Sequence, residues 1–270
     1  MRTRSLLHVA VAATLTPVAL AQDWVGSWSV SPMSYTCPNV NYTVDRLEIA
    51  PSGANQASIR LLPSFPVVPL LASVSGNTLT AHYSEPGLCA IDYSLSITFP
   101  DPYSCIGTLD VDFHGWWCAC SHQIQMVAGN RVVTATYLVI GPACSGSLGE
   151  TRLVPQNWPL LGTTFRMDAD NLPQGFALLV HGYSDSVWAL GTLPAPLDGF
   201  GMPGCTARVS VDAIEFLAGT GTTATWTLAV PNAPELLGLR WHQQAFVPDP
   251  GFNAAGAVAS QARTLVIGNQ

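Results

Sequence analysis

The chain contains no lysine. All ten of its basic residues are arginine, set against 17 acidic groups, and charged residues make up only 10% of 270 positions. Proteins that gather phosphates do so through a basic patch that releases counterions, and ten scattered arginines form none. Nucleic acid and anionic membrane surfaces are thereby excluded as partners. So little charge also excludes long exposed helices laced by ion pairs. Past Leu20 no apolar run reaches the roughly 18–20 residues a membrane helix needs, so no membrane span is expected. A Gly-x-Ser-x-Gly block is missing, and no acid/base pair or metal constellation stands at its required spacing. The chain is therefore expected to be non-catalytic and to need no cofactor.

What is present begins with Arg2 and Arg4 ahead of an apolar run from Leu6 to Leu20, broken by Pro17 and closed by the small-x-small triplet Ala19-Leu20-Ala21. This is the pattern of a secretory signal peptide over residues 1–21, cleaved near Ala21. The expected mature chain starts at Gln22 and is extracellular or periplasmic. Losing two arginines takes its net charge from −7 to −9. Gln22 stands where a lipoprotein would have cysteine, so no lipid anchor is indicated.

Seven cysteines in an exported chain are read first as disulfides: Cys37, Cys89, Cys105, Cys118, Cys120, Cys144 and Cys205. The odd count leaves at least one unpaired or shared between chains. On a strand, Cys118 and Cys120 face the same way, and a bond between them is strained, so different partners are expected for each. Cys205 stands alone in the C-terminal half and either reaches Cys144 or stays free.

With 23 glycines and 21 prolines, turns are everywhere, as in an all-β chain. The clearest strand is Ile91, Tyr93, Leu95, Ile97 and Phe99 alternating with polar residues. Asp101-Pro102-Tyr103 then turns the chain into a second alternating run through Leu109, Val111 and Phe113, which makes a β-hairpin. Further strands are read over 24–30, 43–50, 57–62, 67–74, 78–83, 116–127 and 131–140. Gly76-Asn77 and Gly129-Asn130 mark turns that need positive φ. Short sequential links suggest a meander closed into a β-barrel, or a meander sandwich, over residues 22–141. Residues 142–160, rich in small and turn-forming residues, form a linker. Residues 161–270 form a β-sandwich from strands at 163–169, 176–183, 207–211, 224–230, 239–247 and 262–267, with at most a helical turn at 212–217 or 234–237.

Two sets of side chains invite a metal. His114, Cys118, Cys120 and His122 form an H-x3-C-x-C-x-H cluster with zinc-ligand chemistry. An oxidising compartment competes for those thiols, so disulfides are the expected outcome and no metal is assigned. Asp168, Asp170 and Asn171 supply three oxygens to a calcium-like loop that needs six or more, and a solvated turn is expected instead. Trp116 and Trp117 offer a stacking platform for a sugar ring, although adjacent strand residues face opposite ways and only one of them lies on a given surface.

Some blocks resemble known families. Gly26-x-Trp28 resembles the opening motif of lipocalin-type barrels, which implies a cup holding small apolar ligands. Trp24-Val25-Gly26-Ser27-Trp28 is similar to the start of secreted GDSL-type acylhydrolases, but the Gly-Asp-Ser and Asp-x-x-His blocks that family needs are missing. Over residues 160–270, Gly175-Phe176-Ala177-Leu178-Leu179, Gly191-Thr192-Leu193-Pro194, Gly201-Met202-Pro203-Gly204-Cys205, Val230-Pro231-Asn232, His242-Gln243-Gln244 and Ile267-Gly268 occur in an order similar to a C-terminal module of secreted planctomycete-type bacterial proteins. That resemblance implies a β-rich extracellular module and no catalytic residues. Leu179-Val180-His181-Gly182 looks like the oxyanion-loop strand of α/β-hydrolases, which implies an esterase in which Ser184 is the nucleophile to test.

The sequence therefore points to a secreted module with a binding or structural role. Its expected partner is a glycan, a small apolar ligand or a cell-surface component. The alternatives are a small-ligand or carbohydrate binder acting through the first domain, and a secreted hydrolase built on His181 and Gly182. Oligomeric state is not legible.

Overall fold

A computed structural model describes residues 24–37, 40–63, 68–115, 120 and 123–270, with the side chains of 35–37 and 40–42 outside the description. The signal-peptide segment, Trp116, Trp117, Cys118, His122 and the side chain of Cys37 lie outside the described residues. The protein is all-β. The chain divides between Arg131 and Val132 into two compact units, and each is taken by itself.

The N-terminal unit is a closed barrel of eight strands in sequence order: β1 (Gly26–Cys37), β2 (Val40–Gly53), β3 (Gln56–Leu62), β4 (Leu70–Ser75), β5 (Thr78–Glu85), β6 (Ala90–Asp101), β7 (Ser104–His114) and β8 (Gln123–Val132). Closure leaves no long unpaired edge. The predicted hairpin is β6 and β7, registered Tyr93 to Val111 and Leu95 to Leu109. Its turn forms because the Asp101 carboxylate accepts the backbone N–H groups of Tyr103 and Ser104 at 2.7 and 2.8 Å. Inward alternation fills the interior, where Trp28, Leu47, Ile59, Leu79, Ile97 and Val127 are fully buried. Trp28 donates its indole N–H to the Trp24 carbonyl at 3.0 Å, and its ring packs 4.9 Å from Phe99.

Gly76 takes the positive φ of 59° that its hairpin turn requires. Gly129 does not turn the chain: it lies inside β8, and an added Cβ would meet the Ser29 carbonyl at 2.4 Å. It serves close approach of backbone to backbone, a second use of glycine in strands.

The C-terminal unit is a sandwich. One sheet runs in the order β19-β14-β21-β23-β9, with β22 added to β21, and the other in the order β12-β13-β20. In chain order these are β9 (Thr136–Gly141), the small hairpin of β10 (Ser145–Gly146) and β11 (Gly149–Glu150), β12 (Leu153–Pro155), β13 (Thr164–Ala169) and β14 (Phe176–Gly182). Two further small ribbons pair β15 (Val187–Trp188) with β16 (Gly191–Thr192), and β17 (Ala195–Pro196) with β18 (Thr206–Ala207). The remaining strands are β19 (Ala213–Ala218), β20 (Ala224–Ala229), β21 (Arg240–Pro248), β22 (Ala257–Ala259) and β23 (Ala262–Val266). Tyr137, Leu179, Ala245 and Leu265 of the larger sheet share one core with Phe165, Met167 and Trp226 of the smaller. Tyr137 and Phe165 meet edge-on, with ring centroids 5.2 Å apart.

Four expectations change here. β9, expected in the first domain, pairs with β23 from Thr136 to Gly141, so the boundary moves from near 141 to 131. The linker of 142–160 contains β10, β11 and β12, and Cys144 in it is bonded to Cys205 with Cα atoms 5.0 Å apart. Residues 213–218 form strand β19 rather than a helical turn: they register antiparallel with β14 from Ala213 opposite His181 to Ala218 opposite Phe176, and Leu217 is buried. The run expected at 207–211 is a strand only at Thr206–Ala207.

Cys89 and Cys120 are each disulfide-bonded. Cys105, one of the cysteines expected to pair, is instead a free thiol, 3% exposed and turned into the barrel interior. Burial pushes it up to about 11, so it stays a neutral, unreactive thiol.

Candidate functional site

The side chains with the most chemistry stand at one end of the sandwich. His181, at the end of β14, pairs in register with Gln243 of β21, which pairs in turn with Arg263 of β23. Alternation turns all three toward the inner face, where a continuous polar row forms. The Tyr137 hydroxyl donates to Gln243 Oε1 at 2.8 Å. That fixes the amide, so Gln243 Nε2 donates to His181 Nδ1 at 3.2 Å. The His181 proton then sits on Nε2, 3.5 Å from Glu215 Oε2. The same carboxylate oxygen accepts the indole N–H of Trp226 at 2.7 Å. Arg263 closes the far end, its guanidinium 5.3 Å from the Tyr137 ring centroid and donating to the Tyr137 carbonyl at 2.9 Å.

Burial sets the protonation of this row. Desolvation lowers the His181 pKa against the opposing pull of Glu215, so the ring is neutral at neutral pH. Desolvation raises the Tyr137 pKa, against the opposing pull of Arg263, and holds its proton in place. Both nitrogens of the neutral His181 ring are thus engaged within the protein.

Beside the row opens a cavity of about 320 Å³. Its apolar walls are Trp226, Trp241, Leu228 and Leu239; its polar groups are His181, Tyr183 and Asp212. Trp226 is held by three contacts: its bond to Glu215, the His181 ring at 5.3 Å and Phe165 at 6.2 Å. Asp212 Oδ2 accepts from the Tyr183 backbone N–H at 2.7 Å and from Ser210 Oγ at 2.6 Å, and the Ser210 bond leads in holding its carboxyl below the usual range. Tyr183 and Asp212 also line a second hollow of about 320 Å³ together with Trp188 and Val211. On the barrel wall, a hollow of about 450 Å³ carries exposed Arg60 and Glu48, 3.9 Å apart.

The other expected sites fare differently. β14 runs antiparallel to both β19 and β21, not in the parallel sheet an α/β-hydrolase needs. Ser184 Oγ accepts the N–H groups of Ser186 and Val187 at 3.2 and 3.0 Å, so it builds a turn. His242 lies on the opposite face from His181 and is bonded to Thr264 Oγ1 at 2.9 Å. Of the zinc-type cluster, Cys120 is taken by a disulfide, while His114 Nε2 lies 2.9 Å from Asp92 and 3.4 Å from Asp112. The calcium-type loop spends its oxygens internally: Asp168 accepts from Thr225 and Gln156 at 2.6 and 2.8 Å, and Asp170 accepts the Arg152 N–H at 2.8 Å.

Glu215, Gln243 and Trp241 were not singled out by the sequence. A usable signal was His242-Gln243-Gln244, three consecutive polar residues between Trp241 and the apolar run Ala245 to Val247, a pattern that needs partners if buried. No family model, curated protein or solved structure matches the chain.

Proposed function

We propose that this protein is a secreted, non-catalytic binding module, and that its ligand site is the cavity between Trp226 and Trp241 in the C-terminal unit. One observation carries the reading. An aromatic-walled cavity of about 320 Å³, at the lower end of the ~300–1,000 Å³ range of small-molecule sites, adjoins a hydrogen-bonded row that holds Trp226 in place. The same row supports binding over catalysis, because His181 has no free nitrogen with which to take a proton from a substrate. Export is supported by the signal-peptide pattern and by the Cys144–Cys205 bridge, which suits an oxidising compartment. The order of blocks over residues 160–270, which resembles that of secreted bacterial modules, is in keeping with this reading.

The test is a screen of glycans, alkylamines and small apolar compounds on mature protein, read by tryptophan fluorescence and thermal shift. The expected result is a saturable ligand that raises Tm and loses both signals in Trp241→Ala. A screen with no saturable ligand, or a ligand indifferent to Trp241→Ala, overturns the reading.

A second reading, a structural or adhesive surface component, is favoured by one other feature. Ile214, Phe216 and Leu178, 58%, 61% and 40% exposed, lie on neighbouring strands of the outer sheet face, with the Phe176 ring tilted against Phe216 at a centroid distance of 5.3 Å.

A further inference from the structure

We propose that the ligand of this cavity is a small organic cation of the alkylammonium class, held by aromatic faces and by the field of Glu215 and Asp212. The inference rests on the binding reading above and names the chemistry of its ligand.

Three observations converge. First, His181 and Trp226 spend their hydrogen-bonding groups within the protein, and the groups left open beside them include carboxylate oxygens. His181 uses both ring nitrogens, and Asp212 Oδ2 already accepts twice. A sugar needs several directed donors and acceptors to replace the water it sheds, because a buried hydroxyl left without a partner bears its full desolvation penalty. A quaternary or alkylated ammonium needs none; it is recognised by ring faces and negative potential.

Second, the walls supply those faces. Trp226 and Trp241 line the cavity with Tyr183 at its mouth. Trp226 donates its N–H to the Glu215 carboxylate at 2.7 Å, which feeds negative charge into the indole and deepens the attraction of its face for a cation.

Third, the charge carried by the cavity lining has one sign. Asp212 lines the cavity, and Glu215 stands directly behind Trp226 and His181. Every described contact of Glu215 runs through Oε2, which leaves Oε1 unspent. None of the residues lining the cavity is an arginine, and the chain has no lysine anywhere. At a separation of 6 Å and an effective dielectric between water and protein interior, one carboxylate is worth about a tenfold change in cation affinity.

The experiment titrates mature protein with choline and, separately, with its uncharged carbon isostere, in which carbon replaces the quaternary nitrogen. Calorimetry and tryptophan fluorescence follow binding. Choline is expected to bind at least tenfold more tightly than the isostere. Glu215→Gln, which keeps an acceptor for Trp226, is expected to weaken choline about tenfold and leave the isostere unchanged. Asp212→Asn, checked for fold by circular dichroism, provides a second carboxylate readout. Equal binding of the two compounds, or binding of the isostere alone, overturns the cation assignment while the cavity stays a ligand site. If neither binds but a glycan or an uncharged apolar compound from the screen does, the assignment also falls. If nothing binds at all, the binding reading itself fails.

Discussion

The two units of the chain solve the interior problem in opposite ways. Among the described residues, the barrel buries aliphatic and aromatic side chains and one thiol, while every buried residue of polar or charged type, Gln243, His242 and Gln244 among them, belongs to the C-terminal unit. The reason is topological. A closed meander satisfies its backbone around the ring and can fill its lumen by size alone, so it asks nothing of polar side chains. The sandwich has open edges, short ribbons and long loops, and Gln244 and Ser260 tie these down: Gln244 Nε2 donates to the carbonyls of Thr206 and Ser260 at 2.9 and 3.0 Å. Once polar groups are buried, each must be partnered, and a partnered row is rigid enough to build a site on. The lesson is that the unit with the costlier interior is the one that holds the chemistry.

The sharpest way to test this contrast is to damage each interior in its own terms. Trp28→Ala empties the barrel of its largest fully buried side chain and should cost about 3–5 kcal/mol, read as a lowered urea midpoint with unchanged ligand response in the sandwich. Removing the Cys144–Cys205 bridge, which spans a sequence separation of 61, should cost about 4 kcal/mol by the loop-entropy estimate. Equilibrium unfolding of the Cys144→Ala, Cys205→Ala double variant measures it, and a loss below about 1 kcal/mol would mean that the loop network alone holds this region.

Gln243→Leu leaves both the Tyr137 hydroxyl and His181 Nδ1 without partners and should cost about 2 kcal/mol. Adding Tyr137→Phe should recover part of that loss, because one orphan is removed. Strict additivity of the two changes would show that the row is not coupled.

A smaller effect is the pH dependence of the sandwich. Burial lowers the pKa of both His181 and His242 below the ordinary value near 6.5. The unfolded chain therefore takes up protons before the folded one does. Stability is fully present above about 6.5 and is lost as pH falls from there toward the lowered folded values. Urea midpoints between pH 7.5 and 5.5 should decline, and His181→Gln should flatten the slope. A midpoint that rises on acidification would contradict the burial argument. Least of all should Cys105 respond: with its thiol pushed up to about 11 and 3% exposed, it should resist alkylation at pH 8 until the barrel unfolds. Rapid labelling of the folded protein would show an open barrel wall.

Much of the barrel was legible. Strands β1 to β7 each overlap an alternating run, while β8 runs on through the turn expected at Gly129-Asn130, and Tyr93, Leu95, Ile97, Leu109 and Val111 are buried as their spacing required. The misreadings share one cause, which is that local pattern names a face and not a partner. Gly129-Asn130 has the composition of a turn, but only the closeness of Ser29 explains why glycine stands inside a strand there. Glu215 was hidden in a segment short enough to suit a helical turn, and its use depends on Trp226, eleven residues on and in the opposite sheet.

The order of side chains along the chain was enough to determine an all-β protein with two apolar cores, because a period of two assigns each residue to one face wherever the strand finally sits. Which strand joined which sheet was decided only by tertiary structure. β9 follows the barrel in sequence but buries Tyr137 in the sandwich, since registering with β23 brings its hydroxyl to Gln243. The cavity is likewise a product of packing. Its walls come from β14, β19, β20 and β21 and from the loops after β14 and before β19 and β21, and no short-range pattern records a meeting between residues that far apart.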